Sequence, residues 1–139
     1  LAGALLIAAA FSQTSLITGG FGTTAAKIAA GKMALAPLDI FVRAILCNAL
    51  VCLAVWLSFA ATDVAGKILA IILPVAAFVA LGLEHSIANM FLLPLGLMAG
   101  AEGSAALAAQ NIAIATAGNI LGGAGGVALA YRFAFKPQV

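Results

Sequence analysis

An apolar run from Ile68 to Met98 carries Glu84-His85-Ser86 near its middle, and that placement restricts the chain more than any other feature. The run is about 30 residues long, beyond the ~20 that a helix needs to cross a bilayer. An acid and an imidazole at that depth are costly, and such groups face a bundle interior or a solute path. The run also holds Pro74, Gly82 and Pro94. A straight helix tolerates these poorly, whereas a helix broken near Gly82–Ser86 uses them. Irregular backbone at membrane depth is stable only where protein or a water-filled cavity satisfies the freed groups. Broken helices of this kind build solute sites near the midplane. The expectation is a membrane protein that moves something polar past His85.

Composition forces the same class. Hydrophobic residues make up 65% and charged residues 7%, where a soluble domain carries roughly a quarter charged. So few charges cannot cover a soluble surface. The formal charge of +2 is spread over Lys27, Lys32, Arg43, Lys67, Arg132 and Lys136. No clustered basic face is present, which excludes a nucleic-acid partner. Cys47 and Cys52 are five apart on one expected helix, so an intrahelical disulfide is not expected and both read as buried apolar thiols. A single His and two poorly placed Cys exclude a metal centre. Gly122-Gly123-Ala124-Gly125-Gly126 lacks the Lys and Ser/Thr of a phosphate loop. No cofactor and no enzyme activity are expected.

Residues 1–139 read as one all-helical transmembrane domain with four apolar segments. The first covers about 1–18 and ends at Thr18-Gly19-Gly20. A connector from Phe21 to Leu38 follows, helix-prone over Thr24–Ala36. The second covers 39–60, with Asp39 as a helix-start signal and Trp56 suited to an interfacial belt. The third covers 67–98, broken near 82–86, and the fourth 107–135. Gly118, Gly122 and Gly126 fit the small-xxx-small pattern of close helix contact. Lys27, Lys32 and Arg43 nearly balance Lys67, Arg132 and Lys136, so charge alone does not orient the chain. The chain begins without Met and without a secretory signal, which suggests the C-terminal part of a longer protein.

Three stretches then carry a resemblance. Ile45-Leu46-Cys47-Asn48-Ala49-Leu50-Val51-Cys52-Leu53-Ala54-Val55-Trp56 resembles a signature of the formate/nitrite transporter family, as does Gly82-Leu83-Glu84-His85-Ser86-Ile87-Ala88-Asn89-Met90-Phe91. Gly118-Asn119-Ile120-Leu121-Gly122-Gly123 is similar to the family's sixth helix. The resemblance implies an aquaporin-like bundle, with this chain holding helices three to six of a six-helix protomer and the third segment as the interrupted fifth helix. It implies a homopentamer with one pore per protomer, and that the first half of the pore lining is missing here. It further implies a bacterial-type inner membrane, a cytoplasmic C-terminus and an outward connector.

Through the resemblance, His85 matches the central pore histidine. Imidazole suits that place because modest environments move its charge across physiological pH. A protonated ring attracts a small anion, and proton transfer to the anion gives a neutral acid that crosses an apolar constriction more cheaply. Lys32 matches a vestibule lysine that would raise local anion concentration. Asn48 matches a polar pore residue and is expected to set the orientation of the His85 ring. Asn89 is expected to anchor the restart of the helix. Phe78 matches an aromatic constriction that excludes water and bare ions. Gly82, Glu84 and Ser86 are read as structural residues of the break, with Glu84 bonding freed amides or a neighbouring helix. The implied function is a channel for small monovalent anions of weak acids. Formate or nitrite come first, and hydrosulfide, acetate and lactate are further candidates. Two other readings stay open: an aquaporin-like channel for neutral solutes, disfavoured by absent Asn-Pro-Ala motifs, and a structural membrane subunit in which His85 bonds a neighbour.

Overall fold

The computed structural model describes residues 1–135 and is helical in every element over them. Lys136, one of the cations counted above, lies outside the described residues. The helices are α1 (Ala2–Ser12), α2 (Gly20–Met33), α3 (Pro37–Ala60), α4 (Val64–Ala80), α5 (Ser86–Met98), α6 (Ala105–Ile120) and α7 (Leu129–Ala134). A 3₁₀ turn (Ser15–Ile17) follows α1, and a π-helical segment (Leu121–Ala128) joins α6 to α7. Two of these runs, Pro37–Ala60 and Ala105–Ala134, are long and apolar enough to cross a membrane.

Local chemistry explains where the helices stop. The first apolar segment does not stay helical to residue 18; α1 ends at Ser12, where Ser12 Oγ and Thr14 Oγ1 donate to the Ala9 and Phe11 carbonyls, each at 2.7 Å. Such back-bonding offers the backbone an alternative to continuing the helix. Pro37 opens α3, as suits a residue with no N–H to satisfy, so Asp39 lies inside the first turn rather than at the N-cap position. Asp63 does cap α4, its Oδ1 accepting from the Gly66 N–H at 2.8 Å. Pro74 and Pro94 sit inside α4 and α5.

The end of α4 is a Schellman motif. Gly82 adopts φ +63°, its N–H donates to the Val79 carbonyl at 3.0 Å, and the Leu83 N–H donates to the Phe78 carbonyl at 3.0 Å. A side chain at that φ is strained. Gly82→Ala is therefore expected to cost about 1–2 kcal/mol, and Gly82→Asn clearly less, because Asn visits the left-handed region. Thermal unfolding of the two variants checks this; equal losses would contradict the conformational origin.

The chain divides into two compact units. The first comprises Leu1–Asp39 with Ser86–Ile114, and its buried core is built from alanine, leucine and methionine. Ala8, Ala25 and Leu95 are buried with Phe11, Ile17 and Phe91 packed on them; Ala29, Met33, Leu93 and Ala108 form a second cluster. Gly96 lets α5 meet α2 at backbone distance, since a Cβ there would sit 2.2 Å from the Ala29 Cβ. Close approach through small residues is how apolar helices pack when burial in lipid offers no hydrophobic gain. The second unit comprises Ile40–His85 and the chain from Ala115 onward. There the last helix meets α3 through glycine: a Cβ on Gly118 would lie 2.6 Å from the Phe41 carbonyl oxygen, and one on Gly122 2.1 Å from that of Ile45. Neither cysteine is in a disulfide; Cys47 is buried and Cys52 half-buried. Across the molecule, large apolar side chains such as Leu6, Leu38, Phe59 and Leu73 are exposed, a surface that calls for lipid or a partner chain rather than water.

Candidate functional site

The predicted residues fall into two groups, one in each unit. In the second unit, the five residues Leu81–His85 separate α4 from α5; the N–H groups of Leu81, Gly82 and Leu83 bond back to α4, and carbonyls of the break need partners from outside the helical ladder in an apolar setting. One side chain that answers this is Asn119, two residues before the π segment. Its Nδ2 donates to the Glu84 carbonyl at 2.9 Å and to the Ala44 carbonyl of α3 at 2.8 Å. Asn48, one helical turn beyond Ala44, donates through its own Nδ2 to the Asn119 carbonyl at 2.6 Å. Asn48 therefore holds Asn119, a different bond from the one to the His85 ring expected of it. Gly123 leaves room for this, since a Cβ there would lie 2.4 Å from Asn48 Nδ2.

His85 is half-buried and stacks on Phe78, with ring centroids 5.7 Å apart and planes 20° from parallel. His85 lies one residue before the helix restart and Phe78 two residues before the end of α4, and the Schellman turn folds the chain back so that they meet. Stacking occupies a face of the imidazole, whereas its nitrogens bond in the ring plane. Glu84 is fully buried. Arg43, which the sequence reading did not single out, brings Nη1 to 3.5 Å from the Gly82 carbonyl oxygen.

In the first unit, Asn89 and Lys32 are linked through a residue that sequence reasoning also missed. Asn89 Nδ2 donates to Asn111 Oδ1 at 2.8 Å, and Asn111 Nδ2 donates to the Lys32 carbonyl in the last turn of α2 at 3.1 Å. Asn89 and Asn111 are 0% and 1% exposed. Ser86, at the first position of α5, is buried as well. For Asn111 the sequence offers only a general signal, that an amide in an apolar helix needs a partner; Asn119 lies inside the Gly118–Gly123 stretch that resembles the family's sixth helix, although no role was drawn from it there. Among the described residues no group of three His, Cys, Asp or Glu could hold a metal ion.

A family model described as formate/nitrite transporter matches residues 1–133. The chain belongs to that family. Its relatives are transporters and channels, hence membrane proteins. An uncharacterized transporter of Bacillus subtilis (strain 168) is 43% identical over 99% of this chain and 52% of its own length. A probable formate transporter of Methanothermobacter thermautotrophicus is 45% identical over 82% of this chain and 42% of its own length. Among solved structures, a pentameric formate channel with formate bound superposes with a TM-score of 0.77 at 34% identity, over 94% of this chain and 58% of that one. The chain thus spans about half the length of the curated relatives it matches.

Proposed function

We propose that the complete protein is a channel for small monovalent anions of weak acids, formate or nitrite first, with His85 in the permeation path. Membership of the formate/nitrite transporter family supports this reading, as do the probable formate transporter and the formate-bound channel among its relatives. In this reading α1, α3, the α4–α5 pair and the α6–α7 run are helices three to six of an aquaporin-like protomer. Five copies assemble in a bacterial-type plasma membrane with the C-terminus cytoplasmic. The chain from α1 to α3 then faces outward and brings Lys32 to the pore mouth.

The observation that carries the mechanism is the Phe78–His85 stack at a helix break whose carbonyl is bonded by Asn119. Phe78 shields one face of the imidazole from water and forms an apolar constriction that a bare anion crosses at high cost. An imidazolium beside it attracts the anion. Proton transfer from the ring to formate then gives neutral formic acid, which passes the constriction, and the ring regains its proton from water. Because the protonated ring is the active form, flux should rise as pH falls.

Formate and nitrite uptake into proteoliposomes containing the full-length gene product tests this. His85→Asn is expected to lower flux at acidic pH by about tenfold or more and to flatten its pH dependence, with assembly intact. An unchanged pH profile would remove His85 from the path. Osmotic water flow without anion flux would favour a neutral-solute channel.

A further inference from the structure

We propose that Asn119 is a positioning residue for His85, acting through the Glu84–His85 peptide; the functional half of this claim rests on the channel reading above. Asn119 is 7% exposed and spends both hydrogens of its carboxamide nitrogen on carbonyl oxygens far away in sequence. One carbonyl, of Ala44, belongs to the continuous helix α3; the other, of Glu84, belongs to the five-residue break. The side chain is therefore a strap of fixed length between a stiff helix and an irregular segment.

The Glu84 carbonyl shares a planar peptide with the His85 N–H. Holding its oxygen fixes the plane from which the His85 Cα departs. From the other direction, the Leu83 N–H is tied to the Phe78 carbonyl at 3.0 Å. The segment is thus secured at both ends, and the imidazole it carries lies over Phe78 at 20°. Two carbonyl oxygens demand a donor between them, so the nitrogen of Asn119 must face them. The Asn48 amide, accepted by the Asn119 carbonyl at 2.6 Å, adds a second tie to α3. The charged groups on the break and on the turn of α3 packed against it are Glu84 and Arg43.

The test uses the complete protein with Asn119→Ala and the milder Asn119→Ser, which keeps one donor. Two readouts are taken: formate flux in proteoliposomes across pH, and ¹⁵N NMR titration of the His85 ring, assigned by its disappearance in His85→Asn. Asn119→Ala is expected to lower formate flux about tenfold and to move the ring nitrogen signals and their titration midpoint. Asn119→Ser should lie between it and the parent. Adding Asn119→Ala to His85→Asn should cost little further flux. An assembled Asn119→Ala protein with unmoved His85 signals and an unmoved pH profile overturns the proposal and leaves Asn119 a packing residue. If neither variant assembles, the side chain serves folding itself and the positioning role is refuted. Absence of formate flux in the parent protein would defeat the channel reading, and the ring signals would still decide whether Asn119 positions His85.

Discussion

Gly122→Ala is expected to destabilise the protein by about 3 kcal/mol or more, the largest effect of any single methyl addition in the second unit. The new Cβ would stand 2.1 Å from the Ile45 carbonyl oxygen and 3.0 Å from the Ile45 Cα. Those are backbone atoms, so no side chain can rotate away and the π segment must move off α3. Overpacking alone costs about 1–3 kcal/mol. The same displacement stretches the Asn48–Asn119 and Asn119–Ala44 bonds, which cross the same contact at 2.6 and 2.8 Å, and each is worth about 1 kcal/mol. Gly126 is the internal control. It lies in the same π segment, but a Cβ there meets nothing within 4 Å. Gly126→Ala should be neutral or stabilising by a few tenths of a kcal/mol to about 1 kcal/mol, through the lost freedom of the unfolded chain. Thermal unfolding in detergent compares the two; equal destabilisation would sink the close-contact account.

Asn111→Ala is expected to cost about 2–4 kcal/mol, because it removes the bonds to Asn89 and to the Lys32 carbonyl and opens a cavity at a site 1% exposed. Its carboxamide uses both ends: Oδ1 accepts from Asn89 and Nδ2 donates to the Lys32 carbonyl. The loss should loosen the end of α2 together with α5. A double-mutant cycle with Asn89→Ala isolates the pair. Residues in one hydrogen-bond network couple by about 0.5–3 kcal/mol, so a coupling near 1 kcal/mol is expected between these two. Strict additivity would mean that each amide contributes through packing alone. Asn111→Asp is a sharper probe: it keeps shape and acceptor but presents oxygen to the Lys32 carbonyl, and it should fare no better than alanine.

How much was legible without coordinates follows from the range of each interaction. Membrane character was written in the composition, and the family in the motifs around Asn48 and His85. Helix ends answer to chemistry within four residues: the φ of +63° at Gly82, the Asp63 cap and the Pro37 start are all local. The early stop of α1 was equally local, yet Ser12 and Thr14 fit a helical run and a turn alike until their hydroxyls choose backbone carbonyls. The π segment was hidden because nothing in a run of glycines and small apolar residues distinguishes an i→i+5 ladder from an i→i+4 one.

By itself, the sequence determined that the chain is helical and lipid-compatible and which stretch carries the ionisable pair, since these follow from hydropathy and short-range geometry. Only the tertiary structure decided which amide holds which carbonyl. Asn119 reaches back 75 residues to Ala44 and 35 to Glu84, and Asn111 reaches back 79 to Lys32. A buried amide must find a partner, but an apolar helix carries no record of which backbone group packing will bring within 3 Å of it.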